Sequence, residues 1–464
     1  MRGLSFFLDS MWQGLRSITR IRGENKMAEK KLNGISMKKN QPVFVVIPII
    51  FLVLQQALLN YTSGIINALI SYFDEFYVVF LWIISLSKNK GKIKFNKTDS
   101  TIAFLTLIFA ILGLLSNLQN DFQESVFWIF IDFYTCIKFS LCYLGIRQYL
   151  YDYESNKKIL NKLYKFAKSY TIILFLLSMV NIVLPIFPKA DFRYFMYSIR
   201  LFYPHPTYLA ISAIFCVCVI IAKNSYNENK KDILLIVLGL LVAAMTLRSK
   251  AIAGALCILL FYIYFVALKL KNKVVIGLSA FGIAFYIGYD QLVFYFGGNS
   301  KYNLNFIRER LLIDSFSIAK AYFPLGSGFG TFASNVAAEH WSKLYNIYNY
   351  SYNAFLSDSF WPIIIAQCGW IGCILFILIL ANYLKIVLNL QKVSIYLMWA
   401  GISILIYEII CSVGESAFFN PAVCPMFLIL GIIINLAERR GVYCESIDDH
   451  KVLVKIDEQN KKIY

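Results

Sequence analysis

Apolar runs of about twenty residues recur along most of the chain, separated by short polar breaks rich in lysine. Each run is long enough to cross ~30 Å of hydrocarbon as an α-helix. The pattern predicts an all-α polytopic membrane protein with about twelve transmembrane helices. These fall near 43–60, 66–87, 101–119, 123–146, 167–187, 206–222, 232–247, 251–268, 273–296, 361–384, 394–413 and 421–437. One break differs from the others. Residues 297–360 form a single loop of about sixty residues, a length that in compact proteins usually signals function or disorder. It is not low in complexity: "LNFIRERLLIDSFSIAKAYF" has apolar residues at helical spacing, then come "PLGSGFGTF" and the aromatic-rich "WSKLYNIYNYSYNAFLSDSFW". A partly helical cap is expected there. The chain then divides into a basic N-terminal segment, 1–42, a membrane domain, 43–437, and a C-terminal tail, 438–464.

Composition strengthens the membrane reading: 59% of residues are hydrophobic and 17% aromatic, and mean hydropathy is +0.61. The net charge of +18 would suggest nucleic acid in a soluble protein. Here the lysines lie in short loops where anionic lipid of the inner leaflet attracts them, so membrane lipid and no nucleic acid is the expected partner. An even helix count puts both termini on one side. That side, with loops such as "SKNKGKIKFNK" (87–97) and "NKKILNKLYKFAK" (156–168), holds roughly 34 of the 45 Lys and Arg, against about 10 opposite. Both termini are therefore expected in the cytoplasm. The ten cysteines lie in apolar runs or the tail and form no CxxC pair, and His205, His340 and His450 are scattered. Neither a disulfide framework nor a metal site is indicated.

Against the charge trend, the tight turn "LRSK" carries Arg248 and Lys250 on the outer side. Lys189, Arg193 and Arg200 lie in a second outer loop, and Arg308, Arg310 and Lys320 in a third. Snorkelling to lipid phosphates accounts for any one of these residues. It accounts less well for three loops that each carry a basic group. His205 precedes Pro206, which suits a first helical turn, and reads either as a polar cap or as a site residue. Asp132, Lys138 and Glu408 are costly in hydrocarbon and are expected to face the bundle interior. Asp132 and Lys138, six apart, do not share a helix face, while Asp74 and Glu75 suit the water boundary of the second helix. In "GSGFGTF", Gly326, Gly328 and Gly330 suit a plain turn, or else let backbone N–H groups approach an anionic or sugar ligand.

The span number, the late outer loop, the outer arginines, "LRSK", "GSGFGTF" and "SDSFWPIIIAQCGWIG" together resemble the O-antigen and capsular polysaccharide polymerase family. The O-antigen ligases are its relatives, and the likeness covers most of residues 40–437. In the ligases a loop histidine is followed by Asn, Ser or Gln, then by nine residues, Gly, two residues and Gly. Laid on Gly369 and Gly372, that pattern puts Ser359 second and Asp358 where the ligase histidine stands, which favours a polymerase. The resemblance implies a glycosyltransferase of the bacterial cell membrane acting on an undecaprenyl-pyrophosphate-linked oligosaccharide, without metal or cofactor. A flippase and a chain-length regulator are further partners it suggests. Arg248, with Lys250, Arg200, Arg193, Arg308 and His205, would hold the pyrophosphate, with the Gly328 and Gly330 backbone near the ligand. Asp358 is the candidate base, with His340 its rival. A ligase and a lipid-linked oligosaccharide flippase or transporter are the alternatives. Transporters commonly show two similar halves, and no such repeat is visible here.

Overall fold

The computed structural model describes residues 41–150, 152–193, 195–267, 282, 303–352, 356–357 and 359–438. The chain divides into the units Met1–Ile47 and Pro48–Tyr464. Only residues 41–47 of the first are described, as the start of helix α1 (Gln41–Leu59). In chain order there follow α2 (Gly64–Ser71), α3 (Phe73–Lys88), α4 (Lys97–Gln119), α5 (Val126–Tyr149) and α6 (Tyr153–Val183). A two-residue hairpin, β1 (Phe192–Arg193) and β2 (Met196–Tyr197), pairs Phe192 with Tyr197. Next come α7 (Pro206–Lys223), α8 (Lys231–Met245) and α9 (Ser249–Phe261), which runs on into a π-helical turn. Helices α10 (Asn303–Ala321), α11 (Asn335–Glu339), α12 (Lys343–Ile347), α13 (Phe360–Asn389), α14 (Ile395–Ser412) and α15 (Val423–Glu438) complete the bundle.

The protein is an all-α, multi-pass type of molecule. Among the described residues six helices are long and apolar enough to cross a membrane, or seven if the bent pair α2–α3 is one span. That is fewer than the twelve expected, for physical reasons. Helix α8 has 15 residues, ~22 Å at 1.5 Å per residue, which falls short of ~30 Å of hydrocarbon. The apolar stretches Ser249–Tyr264 and Val423–Glu438 are also short. The expected helix at 273–296 lies outside the described residues. The run 156–168, expected as a loop, belongs instead to the 31-residue α6. Its buried Asn156, Ile159, Leu160, Leu163 and Ala167 make one helical stripe beneath the lysines.

Two of the long elements are broken. Between α2 and α3 the chain bends by 49° at Tyr72. Gln55 takes up the carbonyls freed there, donating from Nε2 to Ile70 O (2.8 Å) and Ser71 O (3.2 Å). Helix α13 breaks at Gly369, whose φ of 63° is a left-handed value that favours glycine. The carbonyls of Ala366 and Gln367 accept the N–H groups of Ser327 and Gly328, both at 2.9 Å. Backbone inside an apolar bundle must be satisfied by protein, and each break meets that demand.

Contacts sort the turns into two groups. Asn60 donates to Phe202 O, Ile199 N–H to Met245 O, Thr207 to Glu415, and Lys343 pairs with Asp121 and Glu124. At the opposite end Asn89 donates to Gln148 O, Tyr164 to Asp232, Tyr396 to Glu228, and Asn96 to Glu438. There Arg147, buried, binds Asp99 Oδ2 (2.7 Å) and Glu438 Oε2 (2.7 Å). With the bent pair α2–α3 taken as one, the helices from there to α9, and α13 to α15, thus alternate in direction. Helix α7 is buried along nearly its whole length. An aromatic cluster of Phe139, Phe360, Phe376, Phe418 and Phe427 joins α5, α13, α15 and the turn before α15.

Candidate functional site

A cavity of about 1060 Å³ opens between α5, α9, α14, the segment before α7 and the residues around α11. Trp128, Ile131, Asp132, Thr135 and Lys138 line it from α5 as a broad stripe, with Asp132 and Lys138 at its two edges. At 1.5 Å per residue that stripe runs ~15 Å along the helix. Helix α9 contributes Lys250, Ala253, Cys257 and Phe261, and α14 contributes Ile406, Ile409 and Ile410. One part of the wall is therefore apolar, and the cations gather beside it.

That gathering starts with a tight turn. Thr246 Oγ1 donates to Ala243 O (2.6 Å), Leu247 takes a left-handed φ of 51°, and Arg248 follows as the N-cap of α9. From there Arg248 Nη2 reaches Asp191 Oδ2 (2.9 Å) and His205 Nε2 (2.7 Å). His205 caps α7 as well, its Nδ1 lying 3.3 Å from the Thr207 N–H. Guanidinium and amide only donate, and a neutral imidazole has a single acceptor nitrogen, so the tautomer decides which of the two contacts is a hydrogen bond. Burial, then Arg248 and Lys250, push the His205 pKa down to about 4. Lys250 pairs with Glu415, whose Oε1 also accepts from Thr207 Oγ1 at 2.8 Å. Arg193, Arg248 and Arg308 all lie close enough to act on the charge of Lys250.

Elsewhere on the wall Lys138, 1% exposed, binds Glu75 Oε1 (2.7 Å) and the fully buried Asp74. Of the second helix's acidic pair, Asp74 is thus buried inside the bundle, while Glu75, 29% exposed, lines the cavity. Asp132 does not reach Lys138; it accepts the Gly330 N–H at 2.7 Å. The His340 ring stacks on Trp128, centroids 3.6 Å apart and planes within 15°, and both rings line the cavity.

Of the residues singled out by sequence, Arg193, His205, Arg248, Lys250, Arg308 and His340 meet at this one cavity. Arg200 lies outside the lining, donating to Pro204 O (2.8 Å) and Pro188 O (3.3 Å). Gly328 and Gly330 are not in the lining either. Their loop packs between α4, α5 and α13, with the Phe329 N–H on Asn117 Oδ1 (2.7 Å). Asp358 lies outside the described residues; Ser357 beside it lines the cavity and Ser359 caps α13. Asp191, Glu415 and Trp128 were missed. The available signal was an acidic residue in each of two cation-side loops, "PKADFR" and "SVGESAFF".

The fold and the site together define a multi-helix membrane protein with a charged cavity inside its bundle. No family model matches the chain, and no significant match is found among curated proteins.

Proposed function

We propose that the protein is a membrane-embedded glycosyltransferase, a polysaccharide polymerase using a polyprenyl-pyrophosphate-linked donor. The observation that carries this reading is the convergence of Arg193, Arg248, Lys250 and Arg308 beside an apolar wall in one cavity. An acceptor hydroxyl attacks the anomeric carbon of the growing glycan. A new C–O bond forms, the bond from that carbon to the phosphate oxygen breaks, and polyprenyl pyrophosphate leaves. Negative charge grows on the leaving oxygens, and cations fixed beforehand stabilise it. Arginine suits the task because its planar fork holds two phosphate oxygens. The apolar side chains of α9 and α14 are suited to the first isoprene units of the lipid. His205, neutral, orients Arg248 without adding a charge of its own. The Trp128–His340 stack offers a flat aromatic surface for a sugar ring, and His340 or Asp358 takes the hydroxyl proton. The cation side is the outer face of the bacterial membrane, opposite both termini.

The test is reconstitution. Purified protein incubated with a defined lipid-linked repeat unit should produce a ladder of longer glycans, and Arg248→Ala should abolish it. Transport of the intact lipid-linked unit without any lengthening would replace this reading with that of a flippase.

A further inference from the structure

We infer that Asp191 and Glu415 are exchangeable counter-ions, carboxylates that hold Arg248 and Lys250 until a pyrophosphate takes their place. The inference rests on the reading of the cavity as a pyrophosphate site. A cation taken out of water without a partner is costly, so an empty cationic cavity needs internal anions. Here each of the two cations at the "LRSK" turn has one: Arg248 with Asp191 at 2.9 Å, and Lys250 with Glu415. Both carboxylates come from connecting segments rather than helix interiors. Asp191 precedes β1 with its side chain 56% exposed, and Glu415 sits in the turn after α14. A carboxylate and a phosphate oxygen call on the same N–H donors with the same geometry. The two therefore compete, and the ligand's affinity is its intrinsic affinity less the cost of displacing the carboxylates. Each displaced carboxylate has a partner to return to: Glu415 keeps Thr207 (2.8 Å), and Asp191 keeps Arg193 (3.4 Å). Such an arrangement also favours release of the product once the glycan has been transferred.

The expected sign is opposite to that of carboxylates that merely build the site. Inorganic pyrophosphate, titrated calorimetrically into the full chain in a phosphate-free detergent, should bind Glu415→Gln and Asp191→Asn about tenfold more tightly than wild type, a coupling of ordinary size. Lys250→Gln should bind more weakly, and adding Glu415→Gln to it should change nothing further. Asp191→Asn, at a half-exposed loop position, carries the test if Glu415→Gln does not fold. Farnesyl pyrophosphate in the same titration separates the sources: tighter binding than inorganic pyrophosphate assigns a lipid-linked ligand, and equal binding a free one. The carboxylate effect is expected with either. Binding by wild type that is lost in Arg248→Gln but unchanged or weaker in both carboxylate variants overturns the exchange and leaves the site. No pyrophosphate binding by any of these proteins overturns both.

Discussion

Arg248 shows how much a single position carries. One nitrogen, Nη2, meets both Asp191 and His205, whereas the proposed pyrophosphate calls on the planar fork, which an ammonium cannot copy. Arg248→Lys should cut polymer yield about tenfold or more at unchanged membrane levels of the protein; wild-type yield would identify Arg248 as a lipid anchor. His205 sets a pH dependence. Its folded-state pKa, about 4, lies below that of the unfolded chain, so the unfolded state binds the extra proton first as pH falls. This part of the stability is present above pH ~6.5 and is lost between there and pH ~4. Melting temperature should fall over that window in wild type and fall less in His205→Gln. The cations were legible in sequence because they break the positive-inside trend. Their carboxylate partners were not, since the Asp191–Arg248 contact spans 57 positions and leaves no local pattern.

At the level of elements, the breaks in α2–α3 and α13 decide what faces the cavity. The bend at Tyr72 precedes the stretch where Asp74 and Glu75 turn inward to Lys138, and the break at Gly369 seats the glycine loop. A Cβ on Gly326 would lie 2.5 Å from both Ala366 O and Gly369 N, and one on Gly369 would lie 2.5 Å from Pro324 O. Both positions also have positive φ. Gly326→Ala and Gly369→Ala should each cost about 2–4 kcal/mol, the sum of backbone strain and overpacking. Gly330→Ala, where the nearest atoms lie at 3.5 Å, should cost only about 1 kcal/mol of strain. Thermal unfolding in detergent measures the difference, and equal losses at Gly326 and Gly330 would disprove the close-packed seam. The apolar runs themselves were readable, since hydropathy reports burial in lipid or protein alike. The breaks were not, because each falls inside a run, 66–87 or 361–384, whose hydropathy reads as one continuous helix. The plain-turn reading of "GSGFGTF" describes its packing, but the partner helix could be found only in three dimensions.

For the whole molecule, the two sets of turns match the two sets of loops that charge separates in the sequence, although fewer helices reach full membrane length. Hydropathy counts apolar stretches and is blind to whether α8, at ~22 Å, reaches across. Orientation is open to direct measurement. In a cysteine-free background, Lys343→Cys should react with a membrane-impermeant thiol reagent in intact cells, and Lys90→Cys only after lysis. The reverse pattern would turn the proposed topology over. The seam between the glycine loop and α13 bears on how the protein is made. Ser327 and Gly328 need carbonyls at Ala366 and Gln367 that are synthesised about forty residues later, ~2–8 s at ordinary translation speed. Until then the Ser327 and Gly328 amides lack these acceptors, which disfavours moving this part of the loop into the lipid phase during insertion. The site is thus finished late in biogenesis. A nascent chain halted before residue 366 already carries the five arginines and lysines of the cavity lining, from Lys138 to Arg308, yet lacks the seam that seats the wall around His340.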